Sequence, residues 1–313
     1  MPRFKYFLVF VLVLAFAQLG FAGGNEKDII LEVDSGIGYF TPPTVVYKYA
    51  INDSAYDIDT GSGAMWTVGL KAGYTLKGVG WAKDSLFGDA PVVELAYRYD
   101  DYDEKEDNIF RPGVIGPAGI YGGGGGWPTG SWDYKQDISN NAFRLGLWGS
   151  DSEGDGFVPY IGIGYQRYAQ DWQARRQQAT IFISKLEAGY YGVSVGGDYR
   201  VERKNGWQLI ITPMVFVHYV QADLNFQQDP DNTVGIINVD DNMSTSFGSY
   251  GAALDLSVKK YFADTFFLGL TGGAVYNNRT PYGRPPTTQP GRAQIAAESS
   301  YIIRGTLDIG VEF

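Results

Sequence analysis

Segments of about ten residues, in which apolar side chains alternate with small or polar ones, recur along most of this chain. Residues 28–40 place Ile29, Leu31 and Val33 on one face, and Glu32 and Asp34 on the other. Successive side chains of a strand point to opposite faces, so the alternation predicts strands with one apolar and one polar face. Strand-forming residues dominate and long runs at helical spacing are absent. The chain is therefore predicted to be all-β.

Two features favour a membrane barrel over a soluble β-sandwich, which also alternates. The chain ends SYIIRGTLDIGVEF, and a last strand closing on Phe313 resembles the insertion signal read by the assembly machinery of bacterial outer-membrane barrels. Aromatic residues also lie at predicted strand ends, as girdles at headgroup level require. These residues are Tyr39, Trp66, Tyr74, Tyr99, Trp207, Tyr219, Tyr250 and Tyr276.

The alternating segments predict a transmembrane antiparallel up-and-down β-barrel of about ten strands, with eight or twelve as alternatives. Short connections at about 151–156, 203–206 and 262–264 are typical of periplasmic turns, and the connection at 77–90 is long for one. Five long connections, typical of extracellular loops, lie at about 41–62, 102–140, 173–185, 227–245 and 278–298. The strands are predicted near 28–40, 63–76, 91–101, 141–150, 157–172, 186–202, 207–226, 246–261, 265–277 and 299–313.

Residues 1–22 have the pattern of a secretory signal peptide: Arg3 and Lys5, an apolar run, and small residues before the expected cleavage site. The barrel is predicted to occupy 23–313, in the outer membrane of a Gram-negative cell. Loss of Arg3 and Lys5 would take the formal net charge from -10 to -12, which argues against nucleic acid as a partner. The chain has no cysteine, so thiol catalysis and thiolate metal sites are excluded. No transmembrane helix is predicted.

A ten-strand barrel is narrow, so its lumen is expected to be largely filled by side chains. Charged residues of both signs are predicted to face inward and to pair with one another, because isolated charges are costly there. A narrow open pore is the alternative. The predicted inward residues are Glu32, Asp34, Lys71, Glu94, Arg98, Asp198, Arg200, Asp255, Lys259, Arg304 and Asp308.

The predicted loop at 102–140 is rich in acids and glycine, and Gly122–Gly126 forms an uninterrupted run. The run lacks the lysine and the strand-to-helix context of a phosphate-binding loop, which excludes that function. The acids are interpreted as a solvated rim, with Ca²⁺ binding as a weaker alternative because ligand spacing is not matched. The acids concerned are Asp100, Asp101, Asp103, Glu104, Glu106 and Asp107.

The layout resembles the omptins, outer-membrane proteases of Gram-negative bacteria. Three strings are similar to omptin barrel strands: GYQRYAQDWQARR at 164–176, YYGVSVGGDYR at 190–200, and the closing ESSYIIRGTLDIGVEF. The resemblance covers most of the barrel, in strings of types that are common in barrels. It implies ten strands, five outer loops and a site formed by an acid pair facing an Asp-His pair.

The acid pair of the omptins is matched by Asp101 and Asp103, with the expected spacing at the top of the third predicted barrel strand. The Asp-His pair is not matched, because the corresponding loop reads Asp229-Pro230-Asp231. His218 is the only histidine of the chain. It is predicted to face the lumen beside a carboxylate or tyrosine partner. Pro213 offers the alternative of a bulge that reverses the strand's facing.

Arg167, Arg175 and Arg176 cluster at the outer end of the fifth predicted strand. The omptin resemblance implies that cations at this height hold lipopolysaccharide phosphates, which guanidinium groups bind well. Tyr165 and Gln166 match the omptin string, and the next charged positions do not. Pairing of the arginines with loop acids is the alternative.

These observations predict a non-enzymatic outer-membrane surface protein, structural or ligand-binding through its acidic, glycine-rich loops. One alternative is an omptin-type endopeptidase with altered machinery that uses Asp101 and Asp103. A narrow pore is the other. No cofactor or metal is expected, and the extracellular ligand is not specified by the sequence.

Overall fold

The computed structural model describes residues 28–43, 45–48, 55–58, 63–78, 85–111, 130–150, 156–176, 179–228, 239–262, 265–284 and 292–312. The predicted signal peptide, the glycine run Gly122–Gly126, Asp229-Pro230-Asp231 and Phe313 lie outside the described residues. Within these ranges no helix is long and apolar enough to cross a membrane.

Ten long strands form a closed antiparallel barrel, which confirms the predicted fold class and strand number. Each strand pairs with its neighbours in the chain, and β1 closes the barrel by pairing with both β12 and β4. A separate two-stranded sheet, β2 and β3, lies in the connection between β1 and β4. The strands are β1 (Ile29–Thr41), β2 (Val45–Lys48), β3 (Ala55–Ile58), β4 (Gly63–Thr75), β5 (Val92–Arg111), β6 (Gly130–Trp148), β7 (Gly156–Arg176), β8 (Ala179–Lys204), β9 (Trp207–Gln228), β10 (Val239–Phe262), β11 (Phe266–Arg284) and β12 (Gln294–Glu312).

The outward face carries an apolar band between two aromatic girdles, as a transmembrane barrel requires. Cross-strand ring pairs mark the outer girdle, among them Tyr165 with Tyr191, whose centroids lie 5.1 Å apart. Tyr199 and Trp207 are exposed at the opposite end. On β8 the interval from Tyr191 to Tyr199 is close to the length of a membrane-crossing strand. Exposed aliphatic side chains fill it, such as Val193 and Val195.

The turn between β8 and β9 shows why one end of the barrel has tight connections. Asn205 and Gly206 have φ values of 54° and 78°, in the left-handed region that asparagine and glycine tolerate. A two-residue turn with both φ values positive matches the twist of adjacent antiparallel strands. This confirms the turn predicted at 203–206.

The long outer connections are shorter than predicted, because the strands continue past the membrane. β5 extends to Arg111 and β6 begins at Gly130, so much of the predicted loop at 102–140 is strand. β8 runs without interruption from Ala179 to Lys204, so this segment contributes one strand and not two. At the outer girdle the outward-facing residues change from apolar to polar. Strands predicted from outward apolar residues therefore ended too early.

The lumen within the membrane is polar, and most of the charged residues predicted to face it pair with one another. Glu32 accepts hydrogen bonds from Lys71 Nζ and Lys259 Nζ, each at 2.6 Å, one on each carboxylate oxygen. Asp34 accepts hydrogen bonds from Arg98. Of two further pairs, one lies within β8 and the other joins β12 to β10. These further pairs are Arg200–Asp198 and Arg304–Asp255. Because Glu32 joins β1 to β4 and to β10, it cross-links distant parts of the wall.

Replacement of Glu32 by glutamine is expected to destabilise the barrel by about 2–4 kcal/mol, because two lumen ammonium groups lose their carboxylate. This loss in the free energy of unfolding is at the lower end of the range for breaking a buried ion pair, because the Lys71 side chain is 31% exposed. Equilibrium urea unfolding in lipid vesicles, followed by tryptophan fluorescence, measures it. Glu187→Gln is the matched control, because Glu187 pairs with Arg167 on the outer surface and both side chains are more than half exposed. Equal losses in the two variants would contradict this account of the lumen.

Candidate functional site at the outer end of the barrel

Above the outer girdle the wall of the barrel reverses its polarity. On β9, Val215 and Val217 face the lipid below Tyr219, whereas Gln221 and Asp223 occupy the same outward face above it. Inward positions change in the opposite sense, from small or polar residues to apolar ones. The part of the barrel above the girdle therefore has a polar exterior and an apolar interior, like a soluble protein.

An apolar core fills the barrel above the girdle. Trp172 packs edge-on against Phe182, and Phe182 stacks on Phe226 with 5.8 Å between ring centroids. All ten barrel strands contribute, β10 and β12 through partly buried side chains. The outer core comprises Phe40, Met65, Tyr102, Ile138, Tyr168, Trp172, Phe182, Leu186, Ala188, Tyr190, Val220, Ala222, Leu224, Phe226, Tyr282 and Ala293, with Met243, Phe247, Ile295, Ala296 and Ile302 packed against it.

The outer core was not predicted from the sequence, although the sequence carries its signal. On β8, Phe182, Leu186 and Tyr190 share the inward face with the small and polar residues that line the lumen farther down. The pairing of the strand with its neighbours does not shift at this point. Its apolar residues face outward within the membrane and inward above the girdle. A search for apolar residues on the outward face alone cannot detect this segment.

Asp101 and Asp103, the candidate acid pair, lie at the outer girdle and just above it, with exposed side chains. Their neighbours Asp100 and Tyr102 are buried and point inward. Since alternate residues of a strand face opposite sides, the two carboxylates lie on the outside of the wall. Asp100, predicted as part of the solvated rim, instead accepts hydrogen bonds in the lumen from Thr67 and Asn140. That part of the rim prediction is wrong.

Asp103 belongs to a row of acids across neighbouring strands. It lies directly opposite Asp137 on β6, and Asp137 lies opposite Asp171 on β7. Like charges in such positions repel. Lys135 offsets part of the repulsion, and its hydrogen bond to Asp137 raises the pKa of Lys135 above its ordinary value. Among the described residues, no group of three or more histidine, aspartate and glutamate side chains could hold a metal ion.

His218 faces the lumen, as predicted, on the other side of the wall from the acid pair. The β9–β10 register runs unbroken through Pro213, so the alternative of a facing-reversing bulge is wrong. A tyrosine lies beside the imidazole, as predicted, but does not hydrogen-bond it. The imidazole meets Tyr190 edge-on and Phe216 at a tilt, and its buried Nδ1 has no hydrogen-bond partner among the described residues.

The barrel geometry keeps His218 away from Asp101 and Asp103. β9 is four strands away from β5 around the sheet, and the imidazole points into the lumen while both carboxylates point out. No acid–histidine pair is assembled from these three side chains. A catalytic role for the acid pair stays a prediction.

The arginines at the outer end of β7 have separate surroundings. Arg167 Nη2 lies 2.9 Å from Glu187 Oε2 on β8, and this contact raises the pKa of Arg167. Arg175 is exposed farther up the same outward face, and the Gln173 amide oxygen, when turned toward it, lies 3.2 Å from its Nε and Nη2. The side chain of Arg176 lies outside what the structure describes. Lipopolysaccharide binding by these residues stays a prediction.

The fold defines this chain as a transmembrane β-barrel of the outer-membrane type. The sequence matches no family model and no curated protein. It is similar to the outer membrane protease OmpT from Escherichia coli, with 8% identity, a TM-score of 0.49, and coverage of 94% of this chain and 99% of that one. It is also similar to the translocator domain of the autotransporter NalP from Neisseria meningitidis, with 10% identity, a TM-score of 0.48, and coverage of 99% and 96%. A protease and a translocator domain are thus similar to this chain to nearly the same degree, and function has to be argued from its own residues.

Proposed function

We propose that this chain is a non-enzymatic outer-membrane surface protein, a closed barrel that holds a polar rim and its loops outside the cell for ligand binding. The outer core carries the proposal. It occupies the interior of the extracellular barrel with close-packed apolar side chains from every barrel strand. A solute path from outside would have to displace this core, and a substrate groove would have to form where the core now packs.

The position of the candidate acids supports a function without catalysis. General acid–base chemistry needs groups within hydrogen-bond reach of one reacting atom. Asp101 and Asp103 face outward on β5, and the imidazole of His218 lies inside on β9. An omptin-type peptidase would require other residues to complete its site, so this activity is the alternative and not the proposal.

Refolded protein with lipopolysaccharide is expected to cleave no member of a diverse peptide library beyond a heat-denatured sample, as followed by mass spectrometry. The expectation follows because the acid pair and the histidine cannot act on one bond. Asp101→Asn and Asp103→Asn are tested in parallel as matched isosteric variants. Cleavage by the wild type that is lost in either variant would overturn the non-enzymatic function and establish the peptidase.

The narrow pore remains an alternative because the lumen contains cavities, among them two of about 360 and 140 Å³. Asp34, Arg98 and Arg144 line both, so the two cavities adjoin. The outer core lies above them. The proposed function therefore requires a barrel that is hollow below and closed at its outer end.

The wild-type barrel in a planar bilayer is expected to show no steady conductance, because ions cannot cross the outer core. The double variant Phe182→Ala, Phe226→Ala removes two stacked rings and is expected to conduct. The double variant Phe143→Ala, Phe157→Ala is the control, because these rings are exposed on the lipid face. Steady conductance of the wild type equal to that of the core variant would favour the pore.

Lipopolysaccharide is the proposed lipid partner, held through Arg167 and Arg175 on the outer face of β7. Both guanidinium groups are exposed at or above the girdle residue Tyr165, where headgroup phosphates lie. Glu187 competes with phosphate for Arg167, since it already accepts from that side chain. In the alternative, Arg167 pairs with Glu187 only to stabilise the barrel wall and does not bind lipopolysaccharide.

Two substitutions at this pair are expected to change lipopolysaccharide binding in opposite directions. Arg167→Gln removes a cation and is expected to weaken binding to immobilised lipopolysaccharide about threefold to tenfold. Glu187→Gln frees the same guanidinium and is expected to strengthen binding. Surface plasmon resonance with both variants checks the result. Unchanged binding in both would assign the pair a structural role only.

The proposal also includes insertion by the barrel assembly machinery, for which the closing strand β12 and Phe313 form the expected signal. Phe313 lies outside the described residues. Loss of outer-membrane insertion in Phe313→Ala, relative to Phe266→Ala at the exposed start of β11, is the corresponding observation in cells.

A further inference from the structure

The upper of the two lumen cavities brings three guanidinium groups to one enclosed space. Its volume is about 140 Å³, and it lies in the outer half of the membrane, just below the outer core. Arg98 of β5, Arg144 of β6 and Arg304 of β12 all line it, together with His218.

The carboxylates of the lumen only partly compensate these cations. Arg98 uses Nη2 for both oxygens of Asp34, at 3.1 and 3.2 Å, while its Nη1 is buried without a partner among the described residues. Arg304 likewise uses Nη2 for Asp255, at 3.3 and 3.4 Å. Each of these two guanidinium groups therefore pairs with its carboxylate through one nitrogen only.

Arg144 has no carboxylate partner among the described residues. Its Nη1 contacts the thioether sulfur of Met214 at 3.7 Å, and a thioether is a weak acceptor. The remaining carboxylate of the cavity, Asp100, is occupied by the Thr67 hydroxyl and the Asn140 amide. Within the part of the chain that the structure describes, Arg144 therefore lacks the paired carboxylate that Arg98 and Arg304 have, and an unpaired guanidinium in a barrel lumen favours an anionic ligand.

We propose that this cavity is a binding site for a small oxyanion, with Arg144 as its principal ligand and with Arg98 and Arg304 as further positive charges in its wall. The guanidinium fork matches two oxygens of one carboxylate or phosphate. The cavity is smaller than sites for drug-sized molecules, which restricts the ligand to a few heavy atoms. Inorganic phosphate and small monocarboxylates share the required chemistry.

The anion reaches the site from the periplasmic side. The lower cavity, of about 360 Å³, is lined by Ala90 and Ser150 at the periplasmic turns and shares Arg98 and Arg144 with the upper one. The outer core blocks the opposite direction. The site is thus separate from the rim and loops proposed to act outside the cell, and it does not depend on that function.

Isothermal titration of the refolded mature barrel in detergent micelles, with inorganic phosphate and with acetate as probes, tests the site. Saturable binding of either probe at one site per barrel is expected, and the tighter probe identifies the oxyanion class. Arg144→Met keeps the length of the side chain and removes its donors. It is expected to weaken binding at least about tenfold. Arg200→Met is the matched control, because Arg200 lines only the lower cavity and pairs with Asp198.

Folding of each variant is checked by the faster migration of the unheated barrel on a gel. If Arg144→Met does not fold, Arg144→Lys keeps the charge without the fork and is expected to bind more weakly than the wild type. No saturable binding of either probe by the wild type would overturn the proposal. So would equal affinity in the wild type and a folded Arg144 variant, because the anion would then bind elsewhere.

Discussion

Closure of the hydrogen-bonded sheet is the constraint on which every other feature of this molecule depends. A backbone amide left unpaired in hydrocarbon costs several kcal/mol, so a spanning sheet cannot keep an edge. β1 meets the requirement by pairing with β12 on one side and β4 on the other. Once the ring is closed, each side chain is committed either to the inside or to the outside. What remains is the packing of the inward-facing side chains inside a barrel whose wall is already determined.

The barrel is filled in two different ways along its length. Within the membrane, salt bridges such as Glu32 with Lys71 and Lys259 satisfy the polar groups that lipid would reject. Above it, aromatic side chains such as Phe182 and Phe226 stack on one another. His218 lies near the boundary, directly opposite Gly192 on β8, where an added Cβ would come within 2.1 Å of the imidazole Cδ2. Its aromatic neighbours and unpartnered Nδ1 reflect this intermediate position.

The sequence predicted the barrel, its ten strands, the girdles and the charged lumen, because each follows from a period of two with apolar residues outward. It did not predict the continuation of β5 through Asp103, since outward acids there resemble a loop. A segment that keeps the two-residue period but places polar residues outward and apolar residues inward is a strand outside the lipid. A tyrosine does lie beside His218, but Tyr190 meets it edge-on through its ring and does not hydrogen-bond it, and that geometry could not be read from the sequence. Pairing across non-adjacent strands, such as Lys259 with Glu32, requires the closed sheet before it can be identified.

The reversal of polarity on β8 also determines how deep the protein lies in the bilayer. Lys185 and Glu187 are exposed above Tyr191, and Val193 and Val195 are exposed below it. If the barrel moved along the membrane normal toward the periplasm, Lys185 and Glu187 would enter hydrocarbon. A charged side chain there costs up to about 2–4 kcal/mol. Movement outward would bring the valines into water. The same opposition acts on β7 and β9, so the restoring forces add around the ring. The outer rim is consequently held at one height above the lipid surface, which keeps the polar groups on it at a constant distance from the headgroups.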